Sequence, residues 1–103
     1  NSRHAEVSYS LHPAADLELA AAAEHYRLEA GVVVAEQFLN EFERLMKLLE
    51  RNPELGIAAG KKRRTFPFRR FPYSLVYRAT GAGLRVLVVA HQHRRPGYGR
   101  GRS

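Results

Sequence analysis

The sequence predicts one α+β domain with the element order β-α-α-β-β-β, in which an antiparallel sheet packs against a helical hairpin. Three observations predict it: a strand-like alternation near the start, two consecutive segments with helical periodicity, and three strand-like segments in the C-terminal half. A chain of 103 residues has the size of a single domain. We therefore treat residues 1–103 as one domain, with a frayed start at 1–5 and a flexible basic tail at 99–103.

The first strand is predicted by apolar residues at every second position. These residues are Val7, Tyr9 and Leu11. The pair His12-Pro13 ends the strand, and proline suits the first turn of a helix. Residues 14–30 are rich in alanine and favour a helix, which Gly31 then ends.

An apolar stripe predicts a second helix over about residues 32–51. The stripe consists of Phe38, Phe42, Leu45 and Leu49, and Asn52-Pro53 stops the helix. Two helices joined at a glycine form an antiparallel hairpin. We interpret the stripe as part of the core.

The C-terminal half predicts a loop at residues 54–60 and then three strands. The first strand interleaves aromatic and basic residues, and Pro67 within it indicates an edge position or a bulge. The second covers Tyr73–Ala79, and a tight turn follows at Thr80–Gly83. The last, Leu84–His91, is apolar on both faces, which is typical of a central strand covered on both sides.

Charge is divided unevenly along the chain. Residues 1–60 contain ten acidic and five basic side chains, whereas residues 61–103 contain twelve basic side chains and no acid. A positive field of this kind attracts a polyanion or an acidic protein. The chain has no cysteine, which excludes disulfides, Cys-ligated zinc and thiol nucleophiles and fits a reducing cytoplasm. No apolar run approaches the roughly 20 residues that span a bilayer, so no membrane partner is expected.

The basic half supplies the main candidate site. Its members are Lys61, Lys62, Arg63, Arg64, Arg69, Arg70, Arg78, Arg85, Arg94, Arg95, Arg100 and Arg102. Arginine presents a planar fork to phosphate or carboxylate and stays charged. The alternative is a solvated face that keeps a small protein soluble, but so many bases without an acid repel one another unless a partner relieves them.

Two further features are candidates for chemistry. His91 and His93 lie at strand spacing, which predicts an acid/base pair or, alternatively, the polar end of a central strand. No carboxylate is nearby in sequence, so neither a metal nor a cofactor is predicted. Tyr98 follows several arginines and predicts a general acid, a base-stacking ring or a tail anchor. A carboxylate base would have to come from the helices, where nothing distinguishes Glu18 from Glu24 or Glu43.

Five short segments recur in a known order over residues 7–99. They are Leu11-His12-Pro13-Ala14-Ala15, Gln37-Phe38-Leu39, Asn52-Pro53-Glu54-Leu55-Gly56, Arg69-Arg70-Phe71-Pro72-Tyr73 with Val76-Tyr77-Arg78, and Ala90-His91-Gln92-His93-Arg94-Arg95-Pro96-Gly97-Tyr98. Together they resemble the RelE/ParE superfamily, the toxins of type II toxin–antitoxin systems. The order of the segments fits the predicted order of the elements.

The resemblance implies a cytoplasmic bacterial toxin that a neighbouring antitoxin neutralises. Such an antitoxin wraps the toxin with an acidic, amphipathic segment that folds on binding, which gives a hetero-oligomer. The residues that would contact the antitoxin or the target are Lys61, Lys62, Arg63, Arg64, Arg69, Arg70, Arg78, His93, Arg94, Arg95 and Tyr98.

The superfamily contains two kinds of toxin. RelE-like members cut mRNA on the ribosome; in that case Arg78, Arg94 and Tyr98 match catalytic positions, with His91 or Tyr98 as acid/base and Lys62 or Arg64 on phosphate. ParE-like members inhibit DNA gyrase by binding and are not enzymes. Residues 69–73 and 94–98 look closer to the ParE-like branch, so a gyrase inhibitor is the first hypothesis.

A third hypothesis is a non-toxic nucleic-acid-binding module, although the chain lacks the stacking motif and element order of the common ones. One departure from the family also stands out, because Gly99 occupies a position where many relatives carry tryptophan.

Overall fold

A computed structural model describes residues 8–103 and confirms the predicted α+β fold. Its elements are β1 (Tyr9–Leu11), α1 (Pro13–Ala30), α2 (Val32–Arg51), β2 (Ile57–Ala58), β3 (Arg64–Pro67), β4 (Tyr73–Thr80) and β5 (Gly83–His91). The short strand β2 lies in the segment that was predicted to be a loop. Val7, predicted as strand, and the predicted frayed start at 1–5 lie outside the described residues.

The helical hairpin forms where the sequence predicts it. Pro13 begins α1, and the His12 Nδ1 atom accepts the Ala14 N–H at 3.0 Å, which caps the helix start. The Gly31 N–H closes α1 by donating to the carbonyls of Tyr26 and Arg27 at 3.1 Å each. Helix α2 buries the predicted stripe of Phe38, Phe42, Leu45 and Leu49. None of the helices in the described part of the chain is long and apolar enough to cross a membrane.

The sheet has the strand order β1-β5-β4-β3-β2 and is mixed. Strands β3 to β5 pair antiparallel, as predicted, and the unpredicted β2 adds another antiparallel pair, but β1 pairs parallel to β5. A parallel pair needs a long crossover connection, and here the helical hairpin supplies its first part. Strand β5 lies between β1 and β4 with Leu87, Val88 and Val89 all buried, which agrees with its two apolar faces.

The pairing of β4 with β5 contains a bulge. Val76 lies opposite Val88 while the next residue, Tyr77, lies opposite Val86, so Leu87 has no partner on β4. A bulge breaks the ladder locally and re-aims the strand beyond it. Here it precedes the end of β5, where His91 and the tail begin.

A buried tyrosine holds the loop that follows α2. The Tyr77 hydroxyl donates to the Pro53 carbonyl at 2.7 Å and accepts the Gly56 N–H at 3.0 Å. A β-carbon on Gly56 would lie 2.7 Å from that hydroxyl oxygen, so only glycine fits there without a shift. The segment Asn52–Gly56 is therefore a structural motif.

We expect Tyr77→Phe to lower the free energy of unfolding by about 1–2 kcal/mol, because the buried Gly56 N–H and Pro53 carbonyl lose their partner. Urea unfolding measures the change. Tyr26→Phe is the control, since burial and the charge of Tyr73, and no hydrogen bond from the described residues, act on the Tyr26 hydroxyl. Equal effects of the two changes would contradict the role given to the Tyr77 hydroxyl.

Candidate functional site

The helices cover one face of the sheet, and the strand registers define which residues lie on the opposite one. We call that opposite side the outer face; its residues are Thr65, Ser74, Val76, Arg78, Arg85, Val88 and Ala90. The outer face combines a small apolar centre with arginines toward one end. It is the part of the sheet on which the basic half of the sequence could form a surface.

Two arginines oppose each other on the outer face. Arg78 of β4 and Arg85 of β5 are direct cross-strand partners. Arg85 donates to the Ser10 hydroxyl at 3.2 Å and to the Ser103 carbonyl of the tail at 3.4 Å. Neither guanidinium pairs with an Asp or Glu side chain in the described part of the chain. Like charges directly opposite each other destabilise a sheet. An anionic partner on this face would remove that cost.

Basic residues of the β2–β3 turn extend this surface. A cavity of about 410 Å³ is lined by Lys62, Arg63, Arg64 and Arg78, together with one acid, Glu54. Arg64 donates to the Gly56 carbonyl at 2.8 Å, and Arg63 donates to the carbonyls of Gly99 and Arg102. The structure therefore gives Arg63 and Arg64 structural contacts. Lys61 and Lys62 are exposed in the turn.

Arg69 and Arg70 lie apart from this surface, on the loop between β3 and β4. Their side chains are exposed, while their backbone N–H groups both donate to the carboxylate of Glu41 on α2. Glu41 is buried, with 5% of its surface exposed. The Glu41 carboxylate therefore fixes the backbone of this loop. The side chains of Arg44, Arg69 and Arg70 line one small cavity beside it.

The tail is attached to the sheet by a cluster of three side chains, which we call the tail clasp: Glu18, Tyr98 and Arg102. Arg102 forms a two-pronged pair with the Glu18 carboxylate at 2.8 and 2.9 Å. The Tyr98 hydroxyl donates to the same carboxylate. Arg102 also donates to the Leu87 carbonyl at 3.0 Å, so the clasp reaches the bulge of β5.

The clasp forms because β1 covers only the first part of β5. Their pairing ends at Leu11 and Val86, which leaves the edge of β5 open beyond that point. The Glu18 carboxylate accepts the Val89 N–H there at 3.0 Å. Burial opposes ionisation of Glu18, but the hydrogen bonds from Arg102, Tyr98 and Val89 outweigh it and lower the pKa of the carboxyl group.

Gly99 lies where the tail crosses the outer face. A β-carbon at this position would be 2.4 Å from the Val88 side chain, and its φ of +77° favours glycine. The tryptophan of relatives would not fit in this conformation. In this chain, therefore, the tail packs against β5 through its backbone at position 99 and places no large side chain there.

The histidines at the end of β5 belong mainly to the helix side of the sheet. His91 lies opposite Tyr73, with ring centroids 5.4 Å apart, and the His93 ring stacks on it at 4.9 Å. The His91 Nδ1 atom accepts the His93 N–H at 3.2 Å. Arg94 lies over the Tyr98 ring at 4.8 Å. Arg95 is exposed.

The RelE-like set of four residues is only partly assembled. His91, Arg94 and Tyr98 line one cavity beside the tail, whereas Arg78 lines the cavity of the β2–β3 turn. The assignment of catalytic and binding roles to these residues stays a prediction, as do the mobility of the tail and the single-domain organisation.

Sequence reasoning did not single out Glu18 or Glu41. Glu41 carried a signal, because it lies three residues after Phe38 and immediately before Phe42, within the apolar stripe of α2. An acid inside such a stripe is buried and needs partners. Glu18 carried no local signal, since its partners lie 71 to 84 residues further along the chain.

Comparison with known proteins identifies the family. Residues 9–96 match the family described as "ParE toxin of type II toxin-antitoxin system, parDE". A solved structure described as "Chromosomal ParDE TA system from P. aeruginosa" superposes with a TM-score of 0.69 at 23% sequence identity, covering 82% of this chain and 95% of that one. No curated protein matches the sequence.

These matches confirm the resemblance and the branch that residues 69–73 and 94–98 favoured. The chain belongs to the ParE family and is the toxin of a type II toxin–antitoxin system, with an antitoxin as its partner.

Proposed function

We propose that this toxin inhibits DNA gyrase by binding it, without cutting nucleic acid, and that an acidic antitoxin segment covers its basic outer face. The proposal rests first on membership of the ParE family. It also places the site of action in the cytoplasm, which agrees with a chain that contains no cysteine.

The hydrogen bonds and ring contacts of Tyr98 are the observation that supports gyrase inhibition over mRNA cleavage. A general acid must offer its proton to the substrate. The Tyr98 hydroxyl instead donates to Glu18 and accepts from Arg102 at 3.2 Å, and the guanidinium groups of Arg94 and Arg102 lie 4.8 and 5.0 Å from the centre of its ring. These contacts favour a tail anchor over a catalytic acid.

The charge of the outer face supports the acidic antitoxin. Carboxylates of an antitoxin segment would relieve the repulsion between Arg78 and Arg85 and would reach the exposed Lys61 and Lys62 nearby. Val76 is half-buried on this face and would receive an apolar side chain of an amphipathic segment, whereas Val88 is already covered by the tail at Gly99.

The test compares gyrase and translation assays on one preparation. The purified toxin should inhibit supercoiling and accumulate cleaved DNA, and Arg94→Ala should weaken that inhibition by about tenfold or more, because a guanidinium contact is lost. Lys47→Ala, which removes a charge from the exposed side of α2, is the matched control and should retain inhibition.

Three results would change the assignment. Codon-dependent cutting of translated mRNA with unaffected gyrase would establish the RelE-like reaction. Salt-sensitive nucleic-acid binding without growth arrest would favour a non-toxic binding module. Retained gyrase inhibition in both Arg94→Ala and Tyr98→Phe would remove the tail from the gyrase contact.

A further inference from the structure

A second site lies on the helix side of the sheet, in the cleft between α1 and the end of β5. We call it the α1–β5 cleft; its volume is about 480 Å³, within the range of small-molecule sites. Ala22 and Val89 form part of an apolar floor. His25, Tyr73, His91 and Arg94 supply the polar lining.

The acid in this cleft does not exclude an anion. Glu18 lines the cleft, but its carboxylate is paired with Arg102 and accepts from Tyr98 and Val89. Its charge is balanced, and its oxygen atoms already have partners. The remaining polar side chains are hydrogen-bond donors or can act as donors.

Two of those donors are oriented by contacts of their own. The His91 Nδ1 atom accepts the His93 N–H, so the proton of the neutral ring lies on Nε2. The Arg94 guanidinium carbon lies over the Tyr98 ring, 4.8 Å from its centroid, a contact that uses none of the guanidinium N–H groups as hydrogen-bond donors to a polar atom. Burial raises the pKa of Tyr73, so its hydroxyl keeps its proton as a donor.

His25 completes the set from the other wall. It lies on α1, is exposed, and packs edge-on against Tyr26 at 5.3 Å. An imidazole here faces the same cleft as His91 and Arg94. Two imidazoles, a guanidinium and a phenol thus come from α1, the start of β4 and the end of β5.

We propose that the α1–β5 cleft binds a nucleotide phosphate, with His25, His91 and Arg94 on the phosphate oxygens and the sugar or base over the apolar floor. Guanidinium and imidazole donors on an apolar bed suit a phosphate monoester that carries an organic group. The phosphate belongs either to a free mononucleotide or to the end of a nucleic-acid strand. The cleft adjoins the cavity beside the tail, with which it shares His91 and Arg94, and the proposal does not depend on gyrase being the target.

The experiment titrates the full chain with AMP, adenosine, and a pentanucleotide with and without a 5′-phosphate, following amide shifts by NMR and heats by calorimetry. AMP should bind saturably and at least about tenfold more tightly than adenosine, because the phosphate contacts are charge-assisted. Tighter binding of the phosphorylated pentanucleotide than of AMP would identify a strand end as the ligand. Tighter binding of AMP would identify a free nucleotide.

His25→Gln is the decisive variant, because His25 is exposed and has no part in the gyrase proposal. It should weaken AMP binding by about tenfold. Arg27→Gln removes a charge from the same helix outside the cleft and should stay within about twofold of wild type. Equal weakening by both variants, equal binding of AMP and adenosine, or no saturation by about 10 mM AMP would each overturn the proposal.

Discussion

Glu18→Ala is expected to lower the free energy of unfolding by about 3 kcal/mol and to release residues 98–103 from the sheet. Breaking a buried ion pair costs roughly 3–5 kcal/mol, and the lower end applies because the side chains of Arg102 and Glu18 are 17% and 18% exposed. The change also leaves the Tyr98 hydroxyl and the Val89 N–H without their acceptor.

Glu24→Ala is the control for this prediction. Glu24 lies on the same helix and pairs with Arg27 at 2.6 Å, but both side chains are about half exposed, so solvent screens the pair and its loss should change stability far less than the loss of Glu18. Urea unfolding measures both variants, and hydrogen exchange at residues 98–103 reports the release of the tail. A Glu18→Ala protein as stable as Glu24→Ala would show that the tail clasp contributes little.

The pH dependence of stability gives an independent check on the clasp. The pKa of Glu18 is lower in the folded protein than in the unfolded chain. Its contribution is therefore fully present above the ordinary carboxyl pKa of about 4.3 and is lost as the pH falls through the folded value. The stability difference between wild type and Glu18→Gln should shrink on acidification from about pH 6 to pH 3.

The contrast between Glu18 and the stripe of α2 shows what the sequence could predict. Phe38, Phe42, Leu45 and Leu49 reveal the helix because their spacing is local and repeats within the segment. The strand-like alternations predict the strands for the same reason, and Pro13, Gly31 and Pro53 mark where the helices begin and end. The parallel pairing of β1 with β5 is not local, since it joins residues 75 apart in sequence, such as Ser10 and Arg85.

The candidate site was predictable in its charge and not in its geometry. Composition identified the basic residues but not their roles. Arg63 and Arg64 donate hydrogen bonds to backbone carbonyls, whereas Lys61 and Lys62 are exposed. The open edge of β5 that creates the tail clasp follows from where β1 ends against its partner. No sequence pattern within the tail predicts that it contacts this open edge of β5.

The second large effect is expected at the buried acid of α2. Glu41→Ala should lower the free energy of unfolding by about 3 kcal/mol, because the N–H groups of Arg69 and Arg70 both lose their acceptor. The loop between β3 and β4, which carries Arg69 and Arg70, would become more mobile as well. Phe68 stacks on Phe38 at 5.0 Å, and the carboxylate fixes the residues that follow it.

Two variants separate this role from a general effect of losing a charge. Glu41→Gln keeps an amide oxygen that can accept an N–H and should recover about half of the loss. Glu36→Ala removes an exposed acid from the same helix and should change stability by less than about 0.5 kcal/mol. Urea unfolding and the amide shifts of Arg69 and Arg70 are the measurements.

Loss of the Glu41 carboxylate should also weaken binding by Arg69 and Arg70, because Glu41 fixes their backbone. With the backbone of Arg69 and Arg70 no longer fixed, their guanidinium groups sample many orientations, and any partner must pay the ordering entropy on binding. Glu41→Gln should therefore bind the antitoxin more weakly than Glu36→Ala does, provided that the antitoxin segment reaches beyond the outer face to the loop between β3 and β4. Equal affinity of these two variants, measured at one salt concentration, would remove Arg69 and Arg70 from the antitoxin interface.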